Sequence, residues 1–365
     1  MKRYTIRVLQ GLGVLVLILL VYIGGVLAFG TASDWQPEAE EPVKTARRAK
    51  AKIVPDSTVS FVIWNIGYGG LGEESNFFYD EGTPLSSGDK MVRAPQELVQ
   101  KNVEGITGFV ARTKADFFLF QEVDYASKRS YYTNQFEQVS KQLPGFYAGF
   151  AANYQVSYVP IPLLEPWRAY GATYSGLATY ARFQPDTSIR FQLPGSFDWP
   201  TRIFQLDRCV ALHRYPVANG KELVVINLHL SAYDADGSLK RQQMGFLREL
   251  CLREYENGNY VVAGGDWNLV PPYFEFDSFM PGRTQSYFQY GIEADFLPAD
   301  WLWVYDPRVP SNRKIRDTYQ AGTTFITLID FYLVSPNLKV KMVKGLNLDF
   351  QFSDHQPVYM EVELK

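Results

Sequence analysis

Asp266 and Asn268 stand two residues apart, directly after the apolar run Tyr260–Ala263 and the pair Gly264–Gly265. The β-branched run is typical of a buried strand, and in an extended chain side chains two residues apart point to the same side. A carboxylate and an amide placed together suit metal-assisted hydrolysis, because the carboxylate accepts a proton from water and the amide orients the group attacked. The alternative is an Asx-turn, since Gly, Asp and Asn are common turn residues. Taken alone, the stretch favours the turn.

Other polar side chains stand at or just past the ends of apolar runs. They are Asn65, Glu122, Asn227, His229, Asp330, Asp354 and His355. A single buried polar group usually makes a local hydrogen bond, because leaving it unpaired is costly, and this structural interpretation stays open for each residue alone. If the strand ends converge, their carboxylates suit a hard divalent cation, Mg²⁺ or Mn²⁺. Two of the chain's three histidines would then lie beside them for proton transfer.

The hydrophobic pattern predicts the elements that position these residues. Alternating or β-branched runs predict strands at 58–65, 116–122, 146–152, 175–181, 202–213, 223–230, 260–266, 323–334, 338–343 and 357–364. Helical spacing predicts helices at about 94–113, 130–142 and 238–256, and residues 71–90 and 153–174 are predicted to be loops. Strands outnumber helices and several are adjacent in sequence. The pattern therefore favours two packed sheets with helices outside over an alternating doubly wound sheet.

Residues 1–33 form a predicted membrane anchor. No charged residue occurs from Val8 to Ser33, and a span of about 8–29 is long enough to cross a bilayer as a helix. The alternative is a signal peptide cleaved near Ala28 or Ala32, which would release a secreted protein. The length of the apolar run favours the uncleaved anchor.

The charges around the anchor predict its orientation. Lys2, Arg3 and Arg7 precede the span, so the positive-inside bias keeps the N-terminus in the cytoplasm and places the rest outside it. Over the whole chain the net charge is −3, and setting these three residues aside leaves −6. A negative balance does not favour nucleic acid as the partner, because phosphate contacts dominate nucleic-acid affinity.

Residues 34–57 mix Glu, Pro, Ala, Lys and Arg without apolar periodicity, which predicts a flexible linker. No repeat or second linker follows, so residues 58–365 are predicted to be one domain. A hydrophobic content of 46% and a charged content of 21% are globular values that support a sizeable core. Cys209 and Cys251 lie in apolar contexts without metal-ligand spacing and are interpreted as buried thiols, with a disulfide between them left open.

Taken in order, the motifs resemble those of the endonuclease/exonuclease/phosphatase superfamily with the DNase I-like fold. They are Trp64-Asn65, Gln121-Glu122, Asn227-Leu-His229-Leu, Gly265-Asp266-Trp-Asn268, Ile329-Asp330 and Ser353-Asp354-His355-Gln-Pro357, and Tyr174-Ser-Gly176-Leu-Ala178 is similar to the family's mid-domain strand. Each motif alone is common, but the ordered set is specific and covers about 58–365. The resemblance implies a four-layer α/β/β/α sandwich in a membrane-anchored, bacterial-type member. It also implies metal-dependent hydrolysis of a phosphate ester.

The resemblance further implies a role for each matching residue. Glu122 would be the principal metal carboxylate with Asn65 beside it, and Asp354 would join the metal or its surroundings. Asp266 would activate the attacking water, and Asn268 would orient the phosphate. His355, paired with Asp330, would stabilise the transition state or protonate. His229 would assist at the phosphate or leaving group, and Asn227 belongs to the same catalytic motif.

The substrate is less well indicated. Inositol polyphosphate phosphatases of this superfamily continue the Asp-x-Asn motif with Tyr-Arg, whereas Leu269-Val270 follow Asn268 here. This departure does not favour an inositol substrate. Arg129 is a candidate phosphate contact, and the aromatic segment Tyr154–Trp167 is either a packed loop, which is favoured, or a lipid or base contact.

The favoured function is a phosphodiesterase acting on a lipid head group, a nucleotide or nucleic acid. The alternatives are a catalytically silent surface binding module on the same fold and an extracellular nuclease. The sequence shows no obligate protein partner.

Overall fold

The apolar runs form the central strands of two seven-stranded mixed sheets. The computed structural model describes residues 2–80, 84–232, 234, 236–276, 279–280 and 290–365. The first sheet has the order β15-β16-β3-β4-β6-β5-β2, and the second has the order β1-β7-β8-β9-β10-β14-β11. A two-stranded ribbon, β12-β13, lies outside both.

The strands span β1 Glu40–Pro42, β2 Lys44–Arg47, β3 Thr58–Asn65, β4 Phe117–Asp124, β5 Tyr147–Val159, β6 Gly171–Ala181, β7 Thr187–Gln192, β8 Cys209–Pro216, β9 Glu222–His229, β10 Tyr260–Asp266, β11 Leu302–Val304, β12 Asn312–Arg313, β13 Ile326–Thr327, β14 Asp330–Val334, β15 Leu338–Gly345 and β16 Val358–Leu364. The helices among the described residues are α1 Lys2–Ala32, α2 Gln96–Arg112, α3 Gln135–Gln142 and α4 Ser238–Glu256.

Alternation along the strands builds the layers. Successive side chains point to opposite faces, so Phe61 of β3 joins the core between the two sheets, while Trp64 joins the core shared with α2. On the second sheet, Val262 faces the first sheet, and Val261 packs with Leu247 of α4. Helices therefore cover the outer face of each sheet. This confirms the predicted four-layer α/β/β/α fold.

Most predicted elements are present, with local differences in extent. Strand β5 continues to Val159, into the segment predicted to be a loop, because its alternating residues pair with β6. Residues 202–208 are not a strand, and β8 begins only at Cys209. Strand β7 was not predicted. Cys209 and Cys251 are both free and buried, and burial raises their pKa values to about 11 and about 12.

The segment 34–57 differs from the predicted flexible linker. Strand β1 pairs with β7 at an edge of the second sheet, and β2 pairs with β5 at an edge of the first. Backbone hydrogen bonds and two buried side chains, Val43 and Val54, hold this segment in place. Two apolar residues are too few to produce a periodic signal among the charged ones, which is why the pattern indicated a linker.

Helix α1 is long and apolar enough to cross a membrane, by length and composition, over Tyr4–Ala32. Its last turns contact the domain: the indole of Trp199 donates a hydrogen bond to the Thr31 hydroxyl at 3.1 Å, and the Tyr22 and Tyr158 hydroxyls lie 3.4 Å apart. A Cβ at Gly30 would come within 2.9 Å of Ile203. A glycine at that position therefore allows the helix end to pack closely against the domain.

Candidate active site

Parallel pairing brings the polar strand ends together. Strand β3 runs parallel to β4 in the first sheet, and β9 runs parallel to β10 in the second. The carboxyl ends of each pair therefore lie at one edge of their sheet, and the two edges face each other across the sandwich. Asn65, Glu122, His229 and Asp266 occupy these ends. The predicted convergence is confirmed for these four residues.

The carboxylate of Asp266 is the centre of the arrangement. Its Oδ2 accepts a hydrogen bond from Asn65 Nδ2 at 2.9 Å, and its Oδ1 accepts one from the Asn268 backbone N–H at 2.9 Å. The same Asn65 amide also donates to Glu122 Oε1 at 3.2 Å. The second contact of Asp266 is the Asx-turn that the sequence offered as the alternative. In the structure that turn holds the carboxylate in place and leaves Asp266 facing the cleft, so the turn and a chemical role are compatible.

Gly265 sets the direction of Asp266. Its φ is +146°, and a Cβ there would lie 2.1 Å from the carbonyl oxygen of Leu228 on the neighbouring strand. Only glycine fits this approach and this backbone conformation. Asn268, at φ +49°, turns its amide back so that Nδ2 donates to the Leu230 carbonyl at 3.0 Å. Asp266 and Asn268 both line the same cleft.

Two imidazoles flank Asp266 and differ in protonation. His229 Nε2 lies 3.3 Å from Asp266 Oδ2, and burial lowers the pKa of His229 well below its usual value. His355 Nε2 lies 3.7 Å from the same oxygen. Burial alone would lower the pKa of His355, but Asp330, Asp266 and Asp354 outweigh burial and raise it well above the usual value. Burial thus favours the neutral form of His229, and the neighbouring carboxylates favour the protonated form of His355.

Asp330 holds His355 from behind. His355 Nδ1 lies 2.8 Å from Asp330 Oδ2, which also accepts a hydrogen bond from the Ser311 hydroxyl at 2.8 Å. Burial, partly offset by His355, raises the pKa of Asp330 to about 6. A carboxylate at Nδ1 fixes the orientation of the ring and leaves Nε2 facing the cleft.

The ribbon β12-β13 and Ser311, which precedes it, supply contacts that the sequence did not indicate. Asn312 Nδ2 lies 3.0 Å from His355 Nε2, and the Ser311 hydroxyl accepts the backbone N–H groups of Ile329 and Asp330, each at 3.0 Å. When His355 is protonated, its Nε2–H donates a hydrogen bond. The Asn312 side chain must then present its Oδ1, and not its Nδ2, to the ring. Ser311 and Asn312 lie in a polar stretch without periodicity, and the contacts of Asn312 with His355 and of Ser311 with Asp330 arise only from the fold.

Glu122, Asp354 and Asn65 form a set of oxygen donors suited to a divalent cation. Glu122 adopts φ +53° where the pairing of β4 with β6 is irregular, a conformation that aims its side chain into the cleft. Burial, opposed by His355 and reinforced by the charge of Glu122, raises the pKa of Asp354 to about 7. The charge of Glu122 disfavours the charge of the buried Asp354 carboxyl, and a bound cation would offset that repulsion.

Another cluster of possible metal ligands lies beside this set. Ligand atoms of Asp266, Asp330 and His355 all lie within 4.8 Å of one another. The His355–Asp330 hydrogen bond, however, already engages one atom of each of those two residues. The chemistry of the donors therefore favours Glu122 and Asp354 as the cation ligands.

Two predicted site residues have other contacts. Asn227 joins the two sheets: its Oδ1 accepts from Gln121 Nε2 at 2.7 Å, and its Nδ2 donates to the Ala178 carbonyl at 3.0 Å. Arg129 is buried and donates to both carboxylate oxygens of Asp124, at 2.8 to 3.2 Å. Arg129 still lines the cleft, but its charge is already paired with Asp124.

Replacing Asn227 by alanine is expected to lower the free energy of unfolding by about 2–4 kcal/mol, because buried polar partners in both sheets lose their hydrogen bonds. Urea denaturation followed by tryptophan fluorescence measures this, with the exposed Asn257→Ala as the matched control, expected to stay within about 0.5 kcal/mol of the native protein. Unchanged stability together with a large loss of activity would instead assign Asn227 a direct catalytic role.

Comparisons with known proteins agree with this architecture. A model of the Endonuclease/Exonuclease/phosphatase family matches residues 64–355. An endonuclease/exonuclease/phosphatase structure from Beutenbergia cavernae has a TM-score of 0.54 at 14% identity, covering 84% of this chain and 72% of that one. One from Bacteroides vulgatus has a TM-score of 0.51 at 16% identity, covering 84% and 99%. The human Nocturnin catalytic domain with bound sulfate has a TM-score of 0.51 at 15% identity, covering 89% and 100%. No curated protein matches the chain.

Proposed function

The chain belongs to the endonuclease/exonuclease/phosphatase family, and from that premise we propose that it hydrolyses a phosphodiester with the help of a divalent cation, Mg²⁺ or Mn²⁺. The observation that carries the proposal is the position of Asp266. Two amide groups hold its carboxylate between one neutral imidazole and one that favours the protonated form. A base, a proton donor and a phosphate-orienting amide, Asn268, thus line one cleft.

Each residue has one task in the proposed reaction. Asp266 takes a proton from the attacking water, whose oxygen forms a bond to phosphorus. The bond from phosphorus to the leaving alcohol breaks, and that oxygen receives a proton, so water and a diester give a phosphomonoester and an alcohol. Nε2 of His355 donates a hydrogen bond where negative charge develops, and Asn268 orients the phosphate. His229, kept neutral by burial, lies with its Nε2 3.3 Å from Asp266 Oδ2 and assists at the phosphate or leaving group.

Glu122 and Asp354 would hold the cation, with Asn65 positioning Glu122 through its amide. When bound, the cation neutralises phosphate charge and lowers the cost of charge that develops in the transition state. The Asn65 amide donates to both Glu122 and Asp266. It would therefore keep a fixed distance between Glu122, the proposed metal ligand, and Asp266, the proposed base.

The proposed location is a membrane, with the catalytic domain outside the cytoplasm. The positive residues before the apolar span, Lys2, Arg3 and Arg7, support this orientation. The contact of the Tyr22 hydroxyl with that of Tyr158 supports an uncleaved helix, because cleavage near Ala28 would remove Tyr22. Cleavage near Ala32 would also remove Gly30 and Thr31, which pack against the domain.

Chelation is expected to abolish hydrolysis of bis(p-nitrophenyl) phosphate by the full-length protein in detergent, and added Mg²⁺ or Mn²⁺ should restore it. Glu122→Gln should raise the half-saturating Mg²⁺ concentration about 10- to 100-fold, because one carboxylate ligand is lost. The matched control is Glu137→Gln on α3, whose carboxylate pairs with Arg47 and lies outside the cleft. Full activity in EDTA would contradict the metal-dependent mechanism. Absence of hydrolysis under every metal condition would leave the fold as a binding module.

A further inference from the structure

The catalytic cleft extends to the membrane-spanning helix. Its volume is about 800 Å³, near the upper end of the range for small-molecule sites. Glu122, His229 and Asp266 line one end, and the other end is lined by one face of α1. That face consists of Leu19, Tyr22, Ile23, Val26 and Leu27, which recur at helical spacing. The cleft is therefore polar where the chemistry lies and apolar where α1 closes it.

Two loops line the cleft together with α1. The Leu163 and Leu164 backbone N–H groups donate to the carbonyls of Pro84 and Leu85 at 2.8 and 2.9 Å, so the loops support each other. We call Leu85, Leu163 and Leu164, which all line the cleft, the apolar lip. Their exposed fractions are 52%, 40% and 61%, and that of Trp167, three residues after Leu164, is 75%. A group of large apolar side chains exposed beside an apolar helix is typical of a membrane-contacting surface.

The depth of these residues matches one leaflet of a bilayer. From Leu19 to Leu27 the helix rises about 12 Å, and half of a hydrocarbon core is about 15 Å thick. If the span begins at Val8, as the charge pattern predicts, this part of α1 lies in the leaflet next to the domain. Trp167 and Trp199, both exposed near this end, are residues that favour the membrane interface.

We propose that the phosphodiester is a membrane phospholipid that enters the cleft sideways from the bilayer, with an acyl chain between α1 and the apolar lip and its phosphate at Asp266. This inference rests on the proposed function and gives α1 a second role as a wall of the substrate site. A nucleotide or nucleic acid would have no use for the apolar end, whereas a phospholipid matches both ends. Hydrolysis converts the lipid diester and water into an alcohol and a phosphomonoester, one of which keeps the acyl chains.

The test separates lipid entry from phosphodiester chemistry. Full-length protein is placed in nanodiscs of phosphatidylcholine, phosphatidylethanolamine and phosphatidylglycerol with Mg²⁺, and lipid products are followed by mass spectrometry. Val26→Trp fills the apolar end, and Val21→Trp is the matched control, because Val21 is 67% exposed and does not line the cleft. Leu85→Glu is a second variant, in the lip. Bis(p-nitrophenyl) phosphate, which has no acyl chain, reports the catalytic centre in the same samples.

Native protein and Val21→Trp should cleave at least one of the three lipids. Val26→Trp and Leu85→Glu should lower that rate about 10- to 100-fold, while hydrolysis of bis(p-nitrophenyl) phosphate stays within about twofold. Hydrolysis of the soluble diester without cleavage of any lipid would overturn the inference and leave the proposed function standing. An equal effect of Val26→Trp and Val21→Trp on lipid cleavage would also overturn it. Failure to hydrolyse either kind of substrate would overturn both proposals.

Discussion

Asp266→Asn is expected to lower kcat for bis(p-nitrophenyl) phosphate by about 10²- to 10⁴-fold, because the amide cannot accept a proton from the attacking water. Asparagine has the same shape and keeps an oxygen for the Asn268 N–H, so the turn and the fold should persist. Steady-state kinetics with saturating Mg²⁺ measure the loss, and thermal unfolding checks the fold.

The matched control for this change is Asp116→Asn. Asp116 directly precedes β4, so it lies at the opposite end of that strand from Glu122. Its carboxylate accepts hydrogen bonds from the Ser60 N–H and hydroxyl. The same loss of charge there should leave kcat within about twofold of the native value. Activity within tenfold of native in Asp266→Asn would show that another group activates the water.

His355→Ala is expected to be the second most damaging change, with a loss of about 10²- to 10⁴-fold on a diester with a poor leaving group. Diphenyl phosphate leaves a more basic alcohol than bis(p-nitrophenyl) phosphate and depends more on protonation. If His355 donates a proton to the leaving group, the loss should therefore be smaller on bis(p-nitrophenyl) phosphate than on diphenyl phosphate. Equal losses on both would assign His355 to charge stabilisation at the phosphate instead.

Added imidazole provides the control for His355→Ala. The cavity left by the side chain is bounded by Asp330 and Asn312, both positioned to bind a free imidazole as they bind the ring. Imidazole should restore part of the activity of His355→Ala and none of that of Asp266→Asn. Without the ring, Asp330 is buried among apolar strands and should become protonated, which keeps the fold intact.

The strand-end residues were predictable because one local rule governs them. A long apolar run identifies a buried strand, and the polar residue that ends it must lie at the sheet edge. Asn65, Glu122, His229 and Asp266 follow this rule, and so does the four-layer fold that brings them together. The role of α2 as an outer layer follows equally from its helical spacing.

The remaining contacts depend on tertiary structure. Asn312 reaches His355 from a short ribbon that has no apolar pattern, and Ser311, just before that ribbon, reaches Asp330. Asn227 stands two residues before His229 in the same strand, and alternation would place both on one face. The sequence does not show that the Asn227 side chain forms hydrogen bonds with Gln121 and Ala178 of the other sheet. The sequence suggested that Arg129 is available to bind phosphate. Its ion pair with Asp124 becomes apparent only in the folded chain, where the loop after β4 turns back on that strand.

The two short strands before Thr58 also determine how the protein behaves when it is separated from helix α1. Strand β1 occupies the hydrogen-bonding edge of β7, and β2 occupies that of β5. A protein truncated at Thr58 would expose both edges to other chains and should self-associate by intermolecular strand addition. A protease cut between residues 33 and 39 would instead release a domain in which β1 and β2 still cover the edges of β7 and β5. Shedding at that site would yield a monodisperse soluble enzyme.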